Sequence, residues 1–202
     1  MPRKPLFKDK EIIIEKAFEL IKNQGFNNFT TRNLAHELNV SKNAVFNYFN
    51  NKEEIINKVI DKFYNILNTQ IIKIISENKD YYKDNLMDIF ILYADILYDM
   101  VLENGDIYKL VVRDNINFYE NNISTEEKYI RTFPIYDFLY ENFSYEEHMH
   151  FTTQDTIDKR YILTLLMDKM FTVELNRKSK TGKDEFMRLY KKAFYMITEE
   201  NP

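Results

Sequence analysis

Lys42, Asn43 and Asn47 lie in the stretch SKNAVFNYF, which runs from Ser41 to Phe49. A lysine ammonium can donate to guanine or to a phosphate oxygen. An asparagine amide can both donate to and accept from a base edge, as in bidentate recognition of adenine. On a helix, positions 43 and 47 are one turn apart and share a face. Ser41 is a natural N-cap for that helix, because its hydroxyl accepts a bond from an otherwise unpaired backbone N–H. These residues have the chemistry to read a DNA major groove from the start of a helix, as the second helix of a helix-turn-helix does. A solvated face of a small helical domain accounts for the same residues more plainly, and spacing alone does not choose between the two.

The elements that must position these groups follow from periodicity and caps. Ile13, Ala17, Phe18, Leu20 and Ile21 recur at helical spacing within residues 8–24, with Lys10, Glu11, Glu15, Glu19 and Lys22 elsewhere on the surface. Gly25 stands where a left-handed residue can close that helix, and Phe26 and Phe29 follow as core anchors. Thr30 caps a second helix that runs to about Leu38, with Leu34, Ala35 and Leu38 inward. Asn39 and Val40 make the turn. Ser41 then caps the third helix, which reaches about Tyr48 with Ala44, Val45 and Phe49 toward the core. Asn51, with Glu54 three residues on, starts a fourth. Its apolar residues, from Ile56 to Ile74, keep the period through about Ser76, giving a helix of roughly 35 to 40 Å.

Beyond it the pattern stays helical. A helix at 84–103 is closed by Asn104 and Gly105, and a shorter one spans 106–114. The Asn-rich residues 115–127 read as a loop, and Thr132 with Pro134 starts a helix through about Asn142. Thr152 or Thr153 opens a helix through about Arg177, and the last helix begins near Gly182. Pattern alone assigns the apolar stripes of these last two helices to the chain's own core.

Composition agrees with an all-α fold, because three glycines and four prolines in 202 residues are too few for a turn-rich architecture. The net charge is −4, yet residues 1–52 carry nine Lys/Arg against five Asp/Glu. A basic head on an acidic body points to a nucleic-acid partner for the head. There is no cysteine, hence no disulfide framework, thiolate metal site or thiol nucleophile, which fits a reducing cytoplasm. No apolar run has the length of a signal peptide core or a membrane span. Asn, Ile, Lys, Tyr and Phe are abundant throughout, as an AT-rich coding genome also produces, so the aromatic residues say little about a binding site.

Residues Lys10 to Lys52 resemble the N-terminal domain of the TetR family of bacterial transcriptional regulators. The resemblance rests on Gly25–Phe26, on TTRNLA from Thr30 to Ala35, on Val40–Ser41, and on the spacing of Phe46, Tyr48, Phe49 and Lys52. It implies an N-terminal three-helix helix-turn-helix domain, residues 1–52, joined by a long helix to an all-helical ligand-binding and dimerisation domain, residues 53–202. It also implies DNA contacts. Arg32 matches a position that reaches a base or phosphate, and Thr31 a phosphate contact. Lys42 and Asn43, next to Ser41, match the base-reading positions together with Asn47. Phe46, Tyr48 and Lys52 match the phosphate-gripping set. Phe46 replaces the family's usual Tyr and so lacks a hydroxyl for phosphate. Asn39 and Asn43 stand where small residues or glycine are frequent.

The same resemblance implies a cytoplasmic regulator, by default a repressor, that binds a roughly palindromic double-stranded operator. It implies a homodimer through the last two helices, about 153–199, which reverses the assignment of those stripes to the chain's own core. A small effector would release the DNA by favouring one conformation over another. Phe90, Tyr93, Leu97, Met100, Phe118, Phe138, Met167 and Phe171, on inward helix faces, are the candidate pocket, and their character points to an apolar or aromatic molecule. Each taken singly is ordinary core. No cofactor or metal is expected, and no membrane partner. Two rivals remain: a helical protein-interaction module, and a metal-dependent enzyme using His148 and His150 of the segment EEHMH. Histidines two apart diverge on a helix, and no third ligand has zinc-site spacing. No phosphate loop or nucleophile elbow is present.

Overall fold

The computed structural model describes residues 10–85, 88–120, 138 and 154–198, and every regular element among them is helical. In chain order these are α1 Glu11–Gln24, a 3-10 turn Phe26–Asn28, α2 Thr31–Glu37, α3 Lys42–Phe46, α4 Lys52–Glu77, α5 Lys79–Asp84, α6 Asp88–Glu103, α7 Gly105–Glu120, α8 Gln154–Asn176 and α9 Lys183–Thr198. The expected helix at 132–142 and the EEHMH segment lie outside the described residues, apart from the helical Phe138.

The described chain falls into two compact units, one of residues 10–65 and 104–120, the other of 66–103, 138 and 154–198. The expected domain of residues 1–52 thus shares its unit with the first half of α4 and with α7. The first unit is built around Ile13, Ala17, Ile21, Leu34, Val45, Ile55, Val59, Phe63 and Ile107, all completely buried. Helix α1 packs on both α2 and α7, and α7 also meets the 3-10 turn. Phe63 of α4 and Tyr108 of α7 bring their rings to 6.1 Å.

Local chemistry fixes the boundaries here. Gly25 ends α1 with φ 80° and ψ 152°, its N–H bonded to the Ile21 carbonyl. Its φ is positive, but its ψ lies far from the left-handed helical region expected; that combination is essentially closed to residues with a Cβ. The Thr30 hydroxyl accepts from the Asn33 N–H at 3.1 Å, and the Ser41 hydroxyl from Ala44 N–H at 3.2 Å. Asn39 makes the turn at φ 54°, a conformation asparagine tolerates better than most residues. Helix α3 is shorter than expected, ending at Phe46. At the start of α4, Asn51 Oδ1 accepts from Glu54 N–H at 2.8 Å while the Glu54 carboxylate accepts from Asn50 N–H at 2.6 Å. The helix then runs for 26 residues, about 39 Å.

In the second unit α6 packs on α8 and α9, which also pack on each other. Its centre is aromatic: Phe171 stacks on Phe186 at 4.5 Å, and Tyr98 lies 4.9 Å from Phe186. Lys183 at the head of α9 reaches Asp95 at 3.1 Å and Asp99 at 2.7 Å, one turn apart on α6. The α8–α9 turn is pinned by the buried Glu174, whose carboxylate accepts from Thr181 N–H at 2.6 Å, and by Lys180, which donates to the Glu174 carbonyl at 2.7 Å.

Three expectations change. The helix expected at 84–103 starts at Asp88, preceded by the separate α5. Gly105 opens α7 instead of closing α6; of the three glycines, only Gly25 and Gly182 have positive φ. Helix α7 continues through residues 115–120, where a loop was expected, because the buried Ile107, Leu110 and Val111 hold its first turns. Asparagine then costs only tenths of a kcal/mol per position.

Candidate nucleic-acid interface

A five-residue helix has no stability of its own. Helix α3 is held by its Ser41 cap and by Val45 and Phe49, which are 0 % and 2 % exposed. Burying each such side chain stabilises by about 1.5–3 kcal/mol. With those two inside, Ser41, Lys42, Asn43 and Asn47 are left exposed, as the base-reading expectation requires. The Lys42 ammonium lies 5.4 Å from the Phe46 ring centroid, one turn further along. Phe46, which lacks the hydroxyl for phosphate, thus serves as a platform for Lys42.

The flanking residues are less uniform. Arg32 is exposed on α2, and Thr31 beside it is buried at 9 % exposure. Tyr48 is half-buried in the turn after α3. Lys52 is half-buried and already engaged: it donates to the Phe29 carbonyl at 2.9 Å and lies 5.0 Å from the Phe26 ring centroid and 5.3 Å from that of Phe29. An ammonium has three donors, so a phosphate can still be taken, but the lysine also ties α4 to the turn before α2. Lys10 repeats the theme, 5.3 Å from the Phe49 ring centroid.

Sequence reasoning missed Lys10 and also Arg113 of α7. The Arg113 guanidinium stands 5.1 Å from the Phe26 ring centroid, and it pairs with Glu53 at 3.0 Å. Charge alone could not have singled Arg113 out, since its partner is sixty residues away. His36 is exposed, 3.8 Å from Glu37.

The candidate effector residues are spread over both units. Tyr93, Leu97, Met100, Met167 and Phe171 are buried in the second unit, and burial pushes the Tyr93 phenol well above its ordinary range. Phe90 and Phe138 are half-buried, and Phe90 lies 6.4 Å from Phe194. Phe118 belongs to α7, in the first unit. None of the eight lines the described cavity of the second unit, about 420 Å³, bounded by Tyr81, Tyr82, Asp88, Ile91, Leu92, Asp95, Met187, Lys191 and Tyr195. Its tyrosines could not be told from the general Tyr richness of the chain. Among the described residues, no three His, Asp or Glu side chains gather as metal ligands, and no helix is long and apolar enough to cross a membrane.

Comparison with known proteins bears on the same region. Residues 13–59 match the model of the "Bacterial regulatory proteins, tetR family". Over 125 residues the chain is 26 % identical to a protein of Bacillus subtilis (strain 168) described as "Uncharacterized HTH-type transcriptional regulator YuxN". That match covers 61 % of this chain and 41 % of the relative. The matched residues are those that build α1, α2, α3 and the start of α4 around the exposed Lys42 and Asn47. Residues 13–59 are thus similar to the helix-turn-helix portion of the TetR family of bacterial regulatory proteins.

Proposed function

We propose that this protein is a cytoplasmic transcriptional regulator, a repressor, that reads a roughly palindromic DNA site as a homodimer and releases it on binding a small molecule. The observation that carries the DNA-binding part is the exposure of Lys42, Asn43 and Asn47 on a short helix whose opposite side, Val45 and Phe49, is fully inside. Arg32, Tyr48 and Lys52 supply the surrounding phosphate grip, and the basic balance of residues 1–52 supplies the attraction.

Dimerisation is supported by apolar surface on α8 and α9. Ile162, Leu165 and Val173 are 49 %, 41 % and 41 % exposed on one face of α8, and Leu189 and Met196 are 43 % and 73 % exposed on α9. A second copy covering these faces would give the assembly two α3 helices, one for each half-site of a palindrome. For the effector, the support is the roomy cavity among α5, α6 and α9, within the usual range for small ligands. Its tyrosine walls suit an aromatic body.

A genomic DNA selection with the full chain, with and without metabolites from cell extract, tests the reading. Enrichment of a palindromic motif that the metabolites abolish is the expected result. No motif enrichment at any salt concentration overturns the DNA-reading proposal. Enrichment unchanged by metabolites removes the effector alone. If the chain is instead a protein-interaction module, duplex DNA will not compete with its partner and its binding will respond little to salt.

A further inference from the structure

Helix α7 lies far from the DNA-reading stretch in sequence, yet it contributes a side chain to the same small cluster. The Arg113 guanidinium stands 5.1 Å from the Phe26 centroid, and the Lys52 ammonium 5.0 Å from the same centroid. Arg113 pairs with Glu53 at 3.0 Å, next to Lys52 in the first turn of α4. At the other end of this face, Asp106 of α7 comes so near Gly25 that a Cβ there would sit 3.4 Å from its carboxylate oxygen. Helix α7 therefore meets the 25–29 turn at two places, and this turn leads directly into α2.

The guanidinium is held by ring and carboxylate without full hydrogen bonding. Arg113 Nε is shielded from solvent and has no partner among the described residues. An unmade bond on a charged donor costs stability, and a surface-bound arginine would avoid that cost by swinging into water. That Arg113 stays in place implies that the contact with Phe26 and the Glu53 pair offset it. A planar guanidinium on an aromatic face, reinforced by a carboxylate, is a geometry lysine reproduces only in part.

We propose that Arg113 is a positioning residue of the DNA-binding surface: it fixes the Phe26 ring and Glu53, and thereby sets where Lys52 and the entrance to α2 stand against the phosphate backbone. This rests on the DNA-binding reading, but the clamp itself can be tested without DNA. The amides of Asn28 and Phe29, bonded to the Gly25 and Phe26 carbonyls at 3.2 and 3.0 Å, report on the turn that Arg113 holds.

The experiment uses the full chain as the parent and as Arg113→Ala, Arg113→Lys, Glu53→Gln and Phe26→Leu variants. It measures hydrogen exchange over residues 26–31 and affinity for a mixed-sequence duplex of about 30 base pairs across a salt series. Arg113→Ala is expected to speed exchange in the turn and weaken duplex binding about tenfold, the size of a partly buried cation–π contact, with no change of salt slope. Arg113→Lys should recover part of both effects, and in the Phe26→Leu background Arg113→Ala should add little. A fall of the slope by about one unit with parent-like exchange in the turn would make Arg113 a phosphate ligand and overturn the positioning role. Parent-like exchange and affinity in Arg113→Ala overturn it as well. Should that variant fail to fold, parent-like behaviour of both Glu53→Gln and Arg113→Lys overturns it. A parent that binds no duplex defeats the DNA reading, while the exchange data still decide whether Arg113 holds the turn.

Discussion

At the scale of single residues, the proposed base reading and phosphate gripping fall to different side chains, and their substitution should separate. Lys42→Ala and Asn47→Ala remove exposed groups, so they should change which sequences are preferred and leave stability nearly unaltered. Lys52→Ala should weaken binding to all sequences and lower the salt slope by about one unit. Because Lys52 also donates to the Phe29 carbonyl, the same change should destabilise the head by about 1–3 kcal/mol. Motif selection, salt titration and denaturant unfolding of the three variants distinguish these outcomes; a uniform loss in all three removes the division of labour. In the second unit, Tyr81 donates to the Asp88 carboxylate, and that bond, with a smaller contribution from burial, pushes its phenol up to about 12. A proton held more tightly in the fold stabilises below the ordinary tyrosine pKa of about 10 and is lost above it. Tyr81→Phe should therefore lower stability at pH 8, with the difference shrinking as the pH rises from 10 through 12, as followed by urea unfolding. A difference that stays constant over that range would mean that the fold does not hold the phenol's proton more tightly.

At the scale of elements, caps and turns were the most legible feature. Thr30, Ser41 and the pair Asn51 and Glu54 all make the bonds their sequence positions implied, since each acts within four residues. Length was legible where apolar residues recur, as in α4, and illegible where they do not. Six residues of α5 are too few to show a period, and the asparagines of α7 hid a helix held by Ile107 and Val111. Long-range partners had no local signal: nothing around Arg113 announces Phe26 or Glu53. The Gly25 turn is where an element boundary is most exposed to substitution. Gly25→Ala places a Cβ on a backbone at φ 80° and against Asp106. A loss of about 1–3 kcal/mol is expected in thermal or denaturant unfolding, whereas Gly182→Ala, with nothing within 4 Å of its Cβ, has only its positive φ to contend with. Equal losses at the two sites would show that Asp106 does not matter.

At the scale of the whole molecule, the candidate pocket and the proposed dimer surface were the least legible, because apolar residues at helical spacing look alike whether they face a core, a ligand or another chain. Exposure separates them: Tyr93 and Phe171 are inside, while Leu165 and Met196 are not. Leu165→Glu together with Met196→Glu should convert a dimer to monomer in sedimentation, with helical content kept and affinity for a palindromic site falling more than affinity for a half-site. A double variant that sediments like the parent would place the interface elsewhere. The make-up of the first unit has one more consequence, for the order in which the chain is made. Its core combines residues 10–65 with 104–120, so the helix-turn-helix emerges from a ribosome well before the helix that completes its packing. At roughly 5–20 residues per second the nascent head would wait some seconds with Phe26 and the α1 face uncovered. Chimeras that transplant residues 1–52 alone inherit that uncovered face permanently.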